Sequence, residues 1–373
     1  MGMSTLTLQR RGPALVRRAL ATVAALFFGA GCGAFGGVRV ETVDHGEQKP
    51  SNVAVYVSVT DHGEPVTELE AKSFRIYEDG QELSPRVVER TLLPRESVTG
   101  ERVLLLVDLS GNPSVAQRDS YGEAVEAFVR KLTPSLAVSV RAFDGSPGLK
   151  AVGDYARGTQ TPSAAALTKL TSRDASRDLN GAVVAGLAEL DRDAQNDKKP
   201  LHVETLVVFA RGADLAGRTD SGTLEQALDT TKHAVIAVGI GEDTPYLGFA
   251  RGGVIRAKNG DTLPIAFEEA GSRVAALHAK FYLLAYCSPA RAGHRNVRLE
   301  VTRVDKDGKE RSGDTELEID ATGFGPGCHV DTTPRFEHAT DGEKHGAGAR
   351  VNQAPATDPD AVVPPPSSGD YAK

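Results

Sequence analysis

Two kinds of hydrophobic pattern divide this chain. Val53, Val55, Val57 and Val59 alternate with Ala54, Tyr56 and Ser58 over a run ending at Asp61, the period-2 signature of a strand. Phe74-Arg75-Ile76-Tyr77 followed by Asp79-Gly80 predicts a strand and a hairpin turn, and Val87–Leu93 supplies another strand. From Arg102 the pattern changes. Val103–Val107 is a continuous apolar run ending at Asp108, as expected of a strand buried on both faces of a parallel sheet. Apolar residues then recur at helical spacing over Val115–Leu132 (Ala124, Phe128, Leu132) and Leu179–Leu190 (Val183, Leu187, Leu190). Ala137–Phe143, Leu206–Phe209 and Ala234–Ile240 read as strands, Leu224–Lys232 and Ile265–Ala279 as helices, and Phe281–Tyr286 as a last strand. Beyond Cys287, Asn296–Val304 and Glu316–Ala321 alternate again around a turn at Asp307-Gly308.

Alternating strands and helices imply an α/β domain with a doubly wound, mainly parallel, Rossmann-type sheet and right-handed crossovers. The alternating strands on either side are expected to pair into one small β-sandwich-like module through which that domain is inserted. The predicted organisation is a leader over 1–31, a tether over 32–51, and the first part of the β module over 52–98. The α/β domain then occupies 101–286, the second part of the β module 287–328, and a disordered tail rich in Gly, Pro, Asp and Ala 329–373.

The leader changes where the chain is expected to work. Its charged residues (Arg10, Arg11, Arg17, Arg18) are all basic, an apolar stretch Ala19–Phe28 follows, and Gly29-Ala30-Gly31 precedes Cys32. This is signal-peptide anatomy, too short for a stable membrane span. A cysteine after small residues resembles a bacterial lipobox, although Gly29 stands where that motif usually has leucine. The resemblance implies an acylated Cys32, with chains such as palmitate holding the protein on a membrane of the cell envelope, the outer one by preference. The alternative is an ordinary secretory signal cut near Ala34. The other cysteines, Cys287 and Cys328, are then expected to form a disulfide in an oxidising compartment, the alternative being two buried thiols.

Composition removes several classes of function. Net charge is -7, there is no tryptophan, and aromatics are 5%. An acidic chain without a basic stripe is a poor nucleic-acid binder, and aromatic stacking platforms are not expected. No Gly-x-Ser-x-Gly elbow, His-Glu-x-x-His or Walker loop occurs, so the chain is expected not to be an enzyme. A hydrolase with an unrecognised site would depend on Ser110.

The ordered set of strand ends resembles a von Willebrand factor type A domain. Such domains end their first core strand with Asp-x-Ser-x-Ser, and Asp108-Leu109-Ser110-Gly111-Asn112 lies at that place. Ser176-Arg177-Asp178-Leu179-Asn180-Gly181-Ala182 sits where the family has a threonine loop, and Phe209-Ala210-Arg211-Gly212-Ala213-Asp214 where it has Thr-Asp-Gly. Tyr77-Glu78-Asp79-Gly80, Tyr286-Cys287-Ser288-Pro289 and Gly327-Cys328 look like a bacterial secreted branch. The likeness spans about residues 50–328. It implies a site at the C-terminal ends of the strands, where two aspartates, two serines and a threonine hold one Mg2+ that a partner's carboxylate completes.

This chain departs from that set at three of five places. Asp108 and Ser110 match, while Asn112, Arg177 and Arg211 replace a serine, the threonine and the second aspartate. Guanidinium groups are permanent cations that only donate. The metal site is therefore expected to be degenerate, with no cofactor, and Asp108 is expected to pair with Arg177 or Arg211. The alternative is a Mg2+-dependent adhesion site in which Asp178 and Asp214 join Asp108 and Ser110. The expected function is recognition of an envelope or extracellular protein; a purely structural envelope lipoprotein is the plainer reading.

Overall fold

The computed structural model describes residues 37–305, 307–332 and 336. Cys32 and the leader lie outside them, as does most of the expected tail. The chain opens with a long hairpin, β1 (Val38–Gln48) and β2 (Asn52–Asp61), paired antiparallel with Val40 opposite Val59. Four short strands follow: β3 (Glu64–Pro65), β4 (Phe74–Glu78), β5 (Gln81–Glu82) and β6 (Arg90–Leu93). Asp79 and Gly80, at the β4–β5 turn, both have positive φ (50° and 81°), the backbone a tight hairpin requires.

Strand β1 corrects the expectation of a tether over 32–51. Its mix of valines with charged residues hides the strand period; β2 pairs along it, and Val38 and Val40 enter the sandwich core.

The α/β layer comprises β7 (Thr99–Asp108), α1 (Val115–Leu132), β8 (Ala137–Phe143), β9 (Lys150–Tyr155), α2 (Ala165–Lys169), α3 (Leu179–Asn196), β10 (Leu201–Phe209), α4 (Ser221–Thr230), β11 (Ala234–Ile240), β12 (Val254–Ala257) and α5 (Leu263–Ala279). Its sheet order is β12-β11-β10-β7-β8-β9. Every pair is parallel except β8 with the edge strand β9. The unbroken apolar run of β7 has a direct cause. Val103, Leu105 and Val107 face α1 and α5, whereas Leu104 and Leu106 face α3 and α4. Helix α1 starts cleanly because Ser114 and Gln117 form a reciprocal capping box.

The last strands are β13 (Phe281–Cys287), β14 (His294–Val304) and β15 (Glu310–Asp320). They return to the N-terminal strands in two antiparallel sheets, β1-β2-β13-β6 with β3 on β2, and β15-β14-β4-β5. Val53, Val55, Val57, Phe74, Ile76, Val297, Leu299 and Ile319 meet in the core between them. Strand β13 is thus not the last strand of the α/β domain, as its apolar run suggested. It reads as continuous because Tyr282, Leu284 and Tyr286 face the sandwich core while Phe281 and Leu283 face the other way, against Tyr56 and Val98. Cys287 and Cys328 are disulfide-bonded, with Cα atoms 5.8 Å apart.

Phe336, in the expected tail, is buried beside Tyr56 and Phe281, together with Leu201 and Val203 at the start of β10. The sandwich therefore covers the N-terminal ends of the parallel strands.

Candidate functional site

The chain passes from β7 through α1 to β8 on one side, then from α3 to β10 on the other side of β7. Strand order reverses there, and the crevice outside the carboxyl ends of β7 and β10 is where α/β sheets bind ligands. Asp108 ends β7 and is fully buried. Its Oδ1 accepts the backbone N–H of Ser110 at 2.8 Å. Its Oδ2 accepts Arg177 Nε at 2.7 Å and the backbone N–H of Arg211 at 2.9 Å, with Arg211 Nε a further ion-pair contact at 3.7 Å.

Both arginines are tied down elsewhere. Arg177 Nη1 donates to Ala213 O at 2.9 Å, and Arg211 Nη2 donates to Ser110 O. Arg211 also lies over the Tyr121 ring, 5.6 Å from its centroid. Burial raises the pKa of the Tyr121 hydroxyl, and the adjacent Arg211 works against that shift. Gly212 leaves room for the Arg177 guanidinium, since a Cβ there would stand 2.6 Å from Arg177 Nη1 and the side chain would have to shift. The loops are stitched by Gly111 N–H to Ala175 O (2.8 Å) and by Leu215 and Ala216 N–H to Arg177 O (2.8 and 2.9 Å).

The site thus gathers Asp108, Ser110, Arg177 and Arg211. Asn112 is exposed, with a left-handed backbone (φ 49°) in the turn before α1. The alternative ligands Asp178 and Asp214 are not part of it, which corrects that reading. Asp178 caps α3, accepting Gly181 N–H at 3.1 Å. Asp214 accepts Asn180 N–H at 3.1 Å and Gly217 N–H at 2.9 Å. Both carboxylates sit where the helix N-terminus favours negative charge. Burial raises the Asp178 pKa against that hydrogen bond, and Asp214 nearby adds to the rise.

These residues do not fit a divalent ion. One carboxylate is present, its oxygens are engaged by four donor contacts, and two guanidinium groups press on the same oxygen. A unit-charge pair about 4 Å apart interacts by about 4 kcal/mol at an effective dielectric of 20, and a dication doubles that repulsion from each arginine. Among the described residues no group of three or more His, Cys, Asp or Glu is arranged to hold a metal. One feature of a ligand set survives: Ser110 Oγ is buried without a hydrogen-bond partner.

The neighbouring strand end holds another buried carboxylate, one the sequence pattern does not single out. Asp144 follows β8 and is fully buried, accepting Ser146 N–H at 2.9 Å, Arg173 N–H at 2.8 Å, Lys150 Nζ and Ser146 Oγ. Burial works to raise its pKa, but these hydrogen bonds outweigh it and hold the carboxyl well below the usual range. Beside it, Arg218 bonds Gly145 O at 2.6 Å and Asp174 at 3.1 Å. The available signal was an aspartate directly after a strand, as at Asp108.

No family profile and no curated protein matches the chain. Several solved structures are similar to it. They include the ArnB paralog VWA2 from Sulfolobus acidocaldarius (12% identity, 76% of this chain and 75% of that one, TM-score 0.37). A von Willebrand factor type A protein from Catenulispora acidiphila shows 13% identity over 77% and 74% of the two chains, TM-score 0.40. The manganese-loaded TRAP protein of Plasmodium vivax shows 11% identity over 63% of this chain and 97% of that one, TM-score 0.38.

Proposed function

We propose that this chain is a non-catalytic protein-binding module, held at a bacterial cell envelope through an acylated Cys32, that recognises its partner without a bound metal. The observation that carries this reading is the pair of guanidinium groups on Asp108, standing where a metal would otherwise neutralise it. Two guanidinium groups against one carboxylate leave Asp108 more than neutralised. Arg177 and Arg211 retain side-chain exposures of 11% and 18%, and the N–H groups not spent on Asp108, Ala213 O and Ser110 O are those that a partner's carboxylate would meet. Leu215 in the β10–α4 loop, Val115 in the first turn of α1 and Ile265 in that of α5 are exposed apolar residues on loops and helix starts at this end of the sheet.

The test is affinity capture from solubilised bacterial envelopes with the full chain as bait, in Mg2+ and in EDTA. A partner retained equally in both, and lost with the surface variant Leu215→Asp, is the expected result. A partner held only with Mg2+ would overturn it in favour of a metal-dependent site built on Asp108 and the free hydroxyl of Ser110.

A further inference from the structure

At the opposite end of the parallel sheet lies a second group of buried titratable side chains. Glu204, in β10, is 4% exposed, and neither of its carboxylate oxygens has a hydrogen-bond partner among the described residues. The nearest oppositely charged candidate is His233 Nδ1, 3.4 Å from Oε2. His233 lies in the turn between α4 and β11, and its Nε2 is 2.8 Å from Asp191 Oδ1 on α3. One imidazole therefore stands between two carboxyl groups.

The surroundings oppose a charge on Glu204. Arg102, its neighbour on β7, is committed to Asp193 at 3.0 Å and Asp197 at 4.0 Å. Asp191 and Asp193 on α3 and Asp197 just after it add negative potential, while His202 on β10 and Lys232 beside the turn bear on His233. Burial chiefly, opposed by the Arg102 charge and reinforced by those aspartates, raises the Glu204 pKa to about 8. Burial lowers that of His233, against the pull of Asp191. Arg102, Asp193 and Asp197 also line a cavity of about 680 Å³, which brings solvent to the edge of the cluster.

One arrangement of protons satisfies all three groups. Asp191 accepts Nε2–H of a neutral imidazole, which leaves the Nδ1 lone pair, 3.4 Å from Oε2, as the acceptor that a neutral Glu204 could turn its O–H toward. Removing that last proton leaves a carboxylate facing a lone pair, or forces a tautomer that strips Asp191 of its donor. We propose that the proton held between Glu204 and His233 is a latch, closing the α4–β11 turn and the end of α3 onto β10, and that its loss in mildly alkaline solution opens this seam.

The direction follows from proton linkage. Between its ordinary value of 4.5 and about 8, Glu204 binds a proton in the folded chain and not in the unfolded one, so stability falls as pH rises through that window. His233 acts oppositely, but only below its ordinary 6.5. The interval from pH 6.5 to 8.5 thus reads Glu204 clear of the opposing His233 contribution. The unfolding constant of the full chain should rise roughly 20-fold across it.

The experiment is urea denaturation of the wild type and of Glu204→Gln at both pH values. The glutamine amide donates to Nδ1 at either pH, so the variant should lack the rise. Equal pH dependence in the two proteins would overturn the latch. Infrared titration of the wild type is a second reading that needs no variant. A protonated-carboxyl band present at pH 6.5 and lost near pH 8 supports the latch, and its absence at pH 6.5 refutes it.

Discussion

Removing Arg177 tests how Asp108 is neutralised. Asp108 is fully buried and Arg177 nearly so, with Nε and Oδ2 2.7 Å apart. Taking the charge centres as about 4 Å apart, their attraction is about 4 kcal/mol at an effective dielectric of 20. Arg211, with Nε at 3.7 Å, and the two backbone N–H donors remain in Arg177→Ala. They offset part of the loss, so the expected cost is about 2–4 kcal/mol, near the lower part of the range for breaking a buried pair. For a fold of this size that lowers Tm by roughly 3–6 °C. The assay is a double-mutant cycle with Asp108→Asn, read by urea denaturation. In the Asp108→Asn background Arg177→Ala should cost little, giving a coupling of about 2–4 kcal/mol. A coupling below about 0.5 kcal/mol would show that Arg177 is not the counter-charge of Asp108. In the same assay Mg2+ and EDTA should leave the wild-type midpoint unchanged. A clear shift with Mg2+ would mean that the native state binds the ion.

Three other outcomes follow from local geometry. A Cβ at Gly313 would stand 2.0 Å from Val38 O, a backbone atom; Gly313→Ala should therefore force β1 and β15 apart and cost about 1–3 kcal/mol in urea denaturation. Replacing Cys287 and Cys328 by serine releases a crosslink between residues 41 apart and should cost about 2–4 kcal/mol by calorimetry, an effect reproduced by reductant in the wild type. Asp144 contributes stability above its ordinary pKa of 3.8 that is lost as pH falls below it, because its folded value is depressed. Acid denaturation of Asp144→Asn should accordingly be shallower than that of the wild type.

The local character of the chain was written in its sequence. The period-2 valines of β2, the apolar runs of β7, β10 and β11, and the helical spacing of α1 and α3 each follow from which faces are buried, a property of consecutive residues. So was the position of Asp108 at the end of a buried strand, along with the chemical unsuitability of Arg177 and Arg211 as metal ligands.

Tertiary structure alone decided the rest, because it depends on partners distant along the chain. Strand β1 is polar enough to pass for a linker until β2 pairs with it. The two faces of β13 are buried against different layers, and a fully apolar run does not say which sheet it joins. Asp178 and Asp214 are carboxylates near the crevice by sequence, yet the first turn of α3 claims them. Arg177 reaches Asp108 across 69 residues of chain. Glu204 and His233 acquire their chemistry only because β10, α3 and the α4–β11 turn exclude water from the same place.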